Sequence, residues 1–198
     1  MRQVSVLALM AVLAGACPGR ATAGPLSDTL KLRQTKLDEL LAGGDSKLSA
    51  KARGEIAEAL SDILDFPAMA EAALGEEWAK HSEGERKDFV AAFERLVRAT
   101  NLGRLELYRT PTVDYLDETV EGEKGSVRTS IKSRDTITEV TYSFHQVGGR
   151  WRVVDYTIDG GSAMRNYRAQ FGKILEKYGW TGLVERLRKR AAELEAAA

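Results

Sequence analysis

The sequence predicts an α+β fold in which helices precede and follow a curved four-stranded antiparallel sheet. Three observations predict it. Apolar residues recur at helical spacing up to about residue 110, and the period then drops close to two between Thr112 and Ile158. Helical spacing returns after the glycine corner Asp159-Gly160-Gly161.

In the first helix, Leu26 to Leu41, the residues Leu30, Leu37, Leu40 and Leu41 form one face and Gly43-Gly44 stops it. Ser49 is placed to cap a second helix that runs to about Leu64 on Ile56, Leu60, Ile63 and Leu64. Asp65-Phe66-Pro67 restarts the chain, because proline suits a first helical turn. The short helix that follows carries Met69, Ala73 and Leu74 and ends at Gly75. Ser82-Glu83-Gly84-Glu85 is a capping-box pattern. It opens a helix with Phe89, Phe93, Leu96 and Val97 on its apolar face, extended by Leu102, Leu105 and Tyr108 and ended by Pro111.

Val113 and Tyr115 mark the first strand, and Val127, Thr129 and Ile131 the second. A longer third strand, Ile137 to Val147, alternates Val140, Tyr142 and Phe144 with polar neighbours. Gly148-Gly149 then turns the chain into Arg150 to Ile158. Strict alternation in that last strand points Trp151 and Val153 one way and Val154, Tyr156 and Ile158 the other. Short links make the sheet an antiparallel meander. Apolar residues on both faces require cover on both, or a cavity. The last helical stretch carries Met164, Tyr167, Phe171, Ile174 and Leu175, closes at Gly179, and gives way to a final helix with Leu183, Val184 and Leu187. Residues 191–198 read as a frayed tail.

The N-terminus reads as an export signal. Arg2 is followed by an apolar run from Val4 to Ala14, too short to span a bilayer, and Ala21-Thr22-Ala23 is a cleavage pattern after Ala23. Cys17 is the only cysteine and leaves with residues 1–23, so the mature chain has no disulfide and no thiol chemistry. Acylation of Cys17 as a lipoprotein fits the residues before it poorly. About 175 residues remain, enough for one domain with a real core. That domain, 24–190, divides into a helical part at about 26–110, the sheet at about 112–158, and C-terminal helices at about 161–190. Lys and Arg balance Asp and Glu, 29 against 29, so no net field draws the chain to nucleic acid.

Catalytic patterns are sparse. The two histidines, His81 and His145, lie in no recognisable motif, and a Ser162–His145–Asp155 triad lacks a nucleophile elbow. Asp155 interrupts an apolar strand and reads best as a hydrogen-bonded structural carboxylate. Nothing has metal-ligand or nucleotide-binding spacing, so neither metal nor cofactor is implied. The basic run Arg186 to Arg190 reads as a solvated helix face.

Four segments, in order, resemble the MlaC family of periplasmic phospholipid-binding proteins, also called toluene-tolerance or ABC-transporter auxiliary proteins. They are Phe66-Pro67-Ala68-Met69-Ala70-Glu71-Ala72-Ala73-Leu74-Gly75 with Trp78, and Ser82 to Phe89 with Ala92-Phe93 and Leu96. The strand Trp151 to Tyr156 leads into Ile158-Asp159-Gly160-Gly161-Ser162, and Asn166-Tyr167-Arg168-Ala169-Gln170-Phe171 is followed by Ile174-Leu175 and Gly179 to Leu187. The chain departs from the family at Gly161, where an apolar β-branched residue is usual, and at Thr100-Asn101, where an aromatic is usual.

The resemblance implies a nuclear-transport-factor-2-like sheet with a helical subdomain, enclosing an apolar cavity. It implies a monomeric periplasmic carrier, not an enzyme, that moves phospholipid between an outer-membrane lipoprotein complex and an inner-membrane ABC transporter complex. Two tails of about 15 carbons represent on the order of 20 kcal/mol of gross burial. A carrier crossing water must therefore enclose them. The residues expected to line the wall are Phe66, Met69, Leu74, Phe89, Phe93, Leu96, Tyr115, Val140, Tyr142, Phe144, Val154, Tyr156, Met164 and Tyr167. The Asp159-Gly160-Gly161-Ser162 corner is expected near the mouth. The competing readings are an exported scaffold with a filled core, a carrier of hopanoid-type lipids, and a small-molecule enzyme on the same fold.

Overall fold

The computed structural model describes residues 24–41, 49–102, 112–133 and 136–197. The export signal with Cys17, the stop at Gly43-Gly44, the side chain of Leu60, and Leu105, Tyr108 and Pro111 lie outside the described residues.

Among the described residues, five α-helices and five strands follow one another as α1 (Pro25–Leu41), α2 (Ala50–Ser61), α3 (Phe66–Leu74), a 3₁₀ segment (Gly75–Lys80), α4 (Glu83–Leu102), β1 (Thr112–Glu121), β2 (Lys124–Ser133), β3 (Thr136–Val147), β4 (Arg150–Ile158), β5 (Gly161–Ser162) and α5 (Ala163–Ala197). The helix starts are chemically specified. Ser49 accepts from the Ala52 N–H at 3.2 Å. Asp65 accepts from Ala68 at 2.9 Å, ahead of Pro67 in the first turn of α3. At α4, Ser82 and Glu85 close a reciprocal box: the Ser82 N–H donates to Glu85 at 2.8 Å, and the Glu85 N–H donates to Ser82 Oγ at 3.3 Å. Helix α1 is capped from a distance. Glu118 of β1 accepts the Leu26 and Ser27 N–H groups at 3.2 and 2.9 Å, placing a carboxylate on the positive end of the helix. Gly24 permits this, since a β-carbon there would stand 2.1 Å from Glu118 Oε1.

The sheet is an open antiparallel meander in the order β1-β2-β3-β4-β5. A two-residue fifth strand, paired with the end of β4, corrects the expected four. Gly148 and Gly149 turn β3 into β4 with φ of 55° and 75°, as a tight hairpin requires. The other edge of β4 is covered nearer its start: Val153 accepts from the Asp65 N–H and donates to the Ile63 carbonyl, both at 2.9 Å.

The pairing corrects the expectation of two apolar faces. Ser143 pairs with Asp155 and Phe144 with Val153, so Val154 is a bulged extra residue. The bulge brings Trp151, Val153, Tyr156 and Ile158 onto one face with Val140, Tyr142 and Phe144. The opposite face carries Ser126, Arg128, Ser130, Thr141, Ser143 and Thr157. One side is apolar and faces helices; the other is polar apart from Ile137 and Val147, exposed at the ends of β3.

The core forms in three clusters. The largest packs α3, α4 and α5 around Phe89 and Phe93. A second joins Leu26 of α1 and Ile63 to Val127, Phe144 and Val153 of the sheet. A third holds α1 to α2 and α4 through Leu37, Ile56 and Ala59. Helix α5 continues past Gly179, whose φ of 67° and ψ of −173° break it locally, and residues 191–197 stay helical where the sequence predicts a frayed tail. Ala191 is buried and Glu195 receives a bidentate Arg95, at 2.8 and 2.6 Å, which fastens the end of α5 to α4.

Deleting Val154 should force either Trp151 and Val153 or Tyr156 and Ile158 onto the polar face. The expected loss in a urea titration is about 3–6 kcal/mol, the burial of two large apolar side chains. Val154→Ala should cost under about 1.5 kcal/mol, since it keeps the extra residue.

Candidate functional site

The apolar face of the sheet can be read row by row across the strands. At one end, Val120, Gly125, Phe144 and Val153 lie side by side, and Leu26 and Ile63 close over them. The next row is Glu118, Val127, Tyr142 and Tyr156. Then come Tyr115, Thr129, Val140 and Ile158, and last Val113, Ile131 and Thr138. Burial is uneven across these rows: Phe144, Val153, Val127, Thr129 and Val140 are buried, Tyr115, Tyr142 and Tyr156 are partly buried, and Val120 and Ile158 at the rims are 46% and 40% exposed. Thr129 is buried and gives its hydroxyl to the Val140 carbonyl at 3.1 Å, so it adds no unmet polar group to the surface. Burial pushes the Tyr115 phenol above its ordinary pKa, which keeps that ring neutral on the face.

The expected wall residues divide between two bodies. Phe66, Met69, Leu74, Phe89, Phe93, Leu96 and Met164 are buried in the helical cluster, with Tyr156 and Tyr167 packed against it. Phe144 belongs to the sheet cluster, where Tyr115 and Tyr142 pack. Val140 is buried beside Ile158, and Val154 is the bulge itself. The helical group is tightly interlocked. Phe93 meets Tyr167 edge-on at 5.0 Å and Phe171 at 5.8 Å, while Phe89 meets Phe171 at 5.7 Å and Trp180 at 5.4 Å. The sequence did not single out Trp180, although it follows the glycine break directly. His81 stacks on it at 3.5 Å and stands 3.1 Å from Glu77.

Asp155 is structural. Its oxygens accept from Ser162 Oγ at 2.6 Å, Tyr156 N at 2.8 Å and Met164 N at 3.1 Å, and Ser162 Oγ in turn accepts from Arg165 N at 3.1 Å. This set caps α5 and holds β5. His145 is committed elsewhere, 2.8 Å from the Asp65 carboxylate that caps α3. The triad drawn from sequence is therefore not assembled. Asp159, at φ 46°, pins the corner by donating to the Glu139 carbonyl at 3.0 Å and accepting from the Glu139 N–H at 3.1 Å. That corner adjoins the buried Val140 and the exposed Ile158 at the rim of the sheet.

A separate cleft of about 670 Å³ opens between α3, the 3₁₀ segment and α5. Its floor includes Leu74, Phe171, Leu175 and Trp180, which it shares with the helical core, and its walls carry Glu76, Glu77, Lys80, Arg168 and Glu176. Of the wall residues expected from sequence, Leu74 alone lines it. Lys80 and Glu77 pair at 2.7 Å, a contact that pulls Glu77 down and Lys80 up from their ordinary pKa values. Among the described residues no group of histidine, cysteine, aspartate or glutamate could hold a metal ion, and no helix is long and apolar enough to cross a membrane.

The family model described as MlaC protein matches residues 33–189. A phospholipid-binding protein from Ralstonia solanacearum, solved in complex with a phospholipid, has a similar fold, with a TM-score of 0.72 at 20% sequence identity over 86% of this chain and 96% of that one. No curated protein sequence matches the chain.

Asp155→Ala should destabilise the fold by on the order of 3 kcal/mol, since it strips the acceptor from three donors. Differential scanning calorimetry measures this, and Ser162→Ala should lower the melting temperature less. Phe93→Trp should lose about 1–3 kcal/mol by overpacking an aromatic group with no room to give.

Proposed function

The chain belongs to the MlaC family, and we propose on that premise that it is a periplasmic carrier that holds phospholipid acyl chains against the apolar face of its sheet. The observation that carries the reading is the continuous apolar face of the sheet, on which Tyr115, Tyr142 and Tyr156 are only partly buried and Ile158 is 40% exposed at the rim. Acyl chains laid along these rows would bury methylenes at about 0.8 kcal/mol each. Tyrosine suits such a wall, because its ring offers apolar area while its hydroxyl keeps a polar partner. The phospholipid bound to the structural neighbour supports the same reading.

In this account the cavity lies between the sheet and the helical layer of a nuclear-transport-factor-2-like fold, and the Asp159 corner sits at its mouth. The wall is Tyr115, Val140, Tyr142 and Tyr156, backed by Phe144. The helical core residues Phe66, Met69, Phe89, Phe93, Leu96, Met164 and Tyr167 form the body against which the chains pack, and Leu74 faces the neighbouring cleft. The carrier passes its cargo between an outer-membrane lipoprotein complex and an inner-membrane ABC transporter complex, after removal of residues 1–23. It performs no bond chemistry. The closed aromatic cluster, with Phe89 and Phe93 fully buried, favours a second reading, a lipid-free scaffold for the same transport system.

Lipid extraction and mass spectrometry of the protein purified from a bacterial periplasm should find diacyl phospholipid at close to one equivalent. Folded, lipid-free protein would establish the scaffold instead. Tyr142→Trp should cut the bound lipid severalfold while leaving the melting temperature within a few degrees of the parent.

A further inference from the structure

The two edges of the sheet are finished differently. The β4 edge is closed by Ile63 and Asp65, which hydrogen-bond to the Val153 backbone at 2.9 Å, and further along by β5. Beyond β1 no strand follows among the described residues. Its ten residues, Thr112–Glu121, carry a row of backbone N–H and C=O groups able to pair with another chain. The side chains of that edge sort by face. Val113, Tyr115 and Val120 stand opposite Ile131, Thr129 and Gly125 and belong to the apolar face. Asp114, Asp117 and Glu121 stand opposite Ser130, Arg128 and Lys124 on the polar face, and all three are exposed. Among the described residues neither Arg128 nor Lys124 closes an ion pair with them.

An open edge is commonly blunted by lysine, by proline or by a bulge, which keeps strands from adding at random. Strand β1 has a bulge at Leu116, whose side chain is 42% exposed. It has no lysine, arginine or proline, and every charge on it is negative. A second copy of the chain, or any acidic strand, would bring like charges together across the new ladder, whereas a basic strand meets opposite ones. The edge is therefore selective.

We propose that the β1 edge docks an extended strand of a partner protein, one that alternates apolar residues with lysine or arginine. The backbone ladder supplies affinity and the alternation supplies specificity. Apolar residues of the added strand continue the rows of Val113, Tyr115 and Val120, and cover Val120, which is 46% exposed at the rim. Its cations lie beside Asp114, Asp117 and Glu121. Glu118 takes no part, because it is committed to the Leu26 and Ser27 N–H groups of α1. Strand addition makes the apolar face continuous across two proteins. On the carrier reading, on which this consequence alone rests, acyl chains then pass from one to the other without crossing water.

The test uses the exported chain and two ten-residue peptides matched to the length of β1, one alternating valine with lysine and one alternating valine with glutamate. Every second backbone amide of each peptide is N-methylated, so that each presents a single hydrogen-bonding edge. Fluorescence anisotropy should show the lysine peptide binding about tenfold more tightly, the scale of three exposed ion pairs. On binding, hydrogen–deuterium exchange should slow in residues 112–121 and stay unchanged in β3 and β4. The triple variant Asp114→Asn, Asp117→Asn, Glu121→Gln should bring the ratio close to one, with its melting temperature within a few degrees of the parent. Asp114→Asn alone, at a position opposite Ser130, should lower the ratio about twofold. Equal binding of the two peptides, a preference that survives the triple variant, or protection away from β1 would overturn the proposal. A concentration-dependent dimer with β1 protected in the absence of peptide would overturn it as well, and make a second copy the occupant. None of these results changes the lipid found on extraction, so the docking edge and the carrier reading fail separately.

Discussion

Strand β4 carries one residue more than β3 can match, and the surplus falls at Val154. Without it, the side-chain period of two would send Tyr156 and Ile158 to the face opposite Trp151 and Val153. With it, all four join Val140, Tyr142 and Phe144. The helices therefore have one apolar face to cover. The polar ladder of Ser126, Ser130, Thr141, Ser143 and Thr157 needs no cover, because it loses nothing by facing water.

The remaining contacts fix the helices over that face. Ile63 and Asp65 hydrogen-bond to Val153 on the free edge of β4. Asp65 also caps α3 and meets His145, so one short segment ties the strand edge, the helix start and the next strand together. Asp155 does the same for α5 through Ser162 and Met164. Glu118 anchors α1 over the β1 end of the same face. Three carboxylates thus set the entry of three helices. Glu118 takes its donors from Leu26 and Ser27, far away in the chain, whereas Asp155 takes them from its neighbour Tyr156 and from Ser162 and Met164. The closed aromatic cluster then joins α4 to α5.

Local chemistry was legible in the sequence. Ser49 and the Ser82–Glu85 box cap the helices they were expected to cap, Asp65-Phe66-Pro67 restarts the chain as α3, and Gly148-Gly149 makes the expected hairpin. The structural role of Asp155 could be inferred because a charge in an apolar strand needs donors. The bulge was not legible: Val153-Val154 reads as two strand residues, and only pairing with β3 exposes the surplus. Nor was the Glu118 cap, which lies more than ninety positions from its helix. The site was the least legible part. A helical stripe of Phe89, Phe93 and Leu96 has the same period whether it fills a core or lines a cavity, and the structure packs those side chains against one another. The cleft escaped notice because its charges come from two separate stretches, each of which looks like ordinary helix surface.

The central claim concerns where acyl chains lie, and it can be read directly with a phospholipid that carries a photoreactive diazirine at the end of one tail. After irradiation and digestion, the account predicts adducts on peptides from β3 and β4, at or beside Tyr142 and Tyr156. Adducts confined to the polar face of the sheet or to the outer surface of α5 would contradict it.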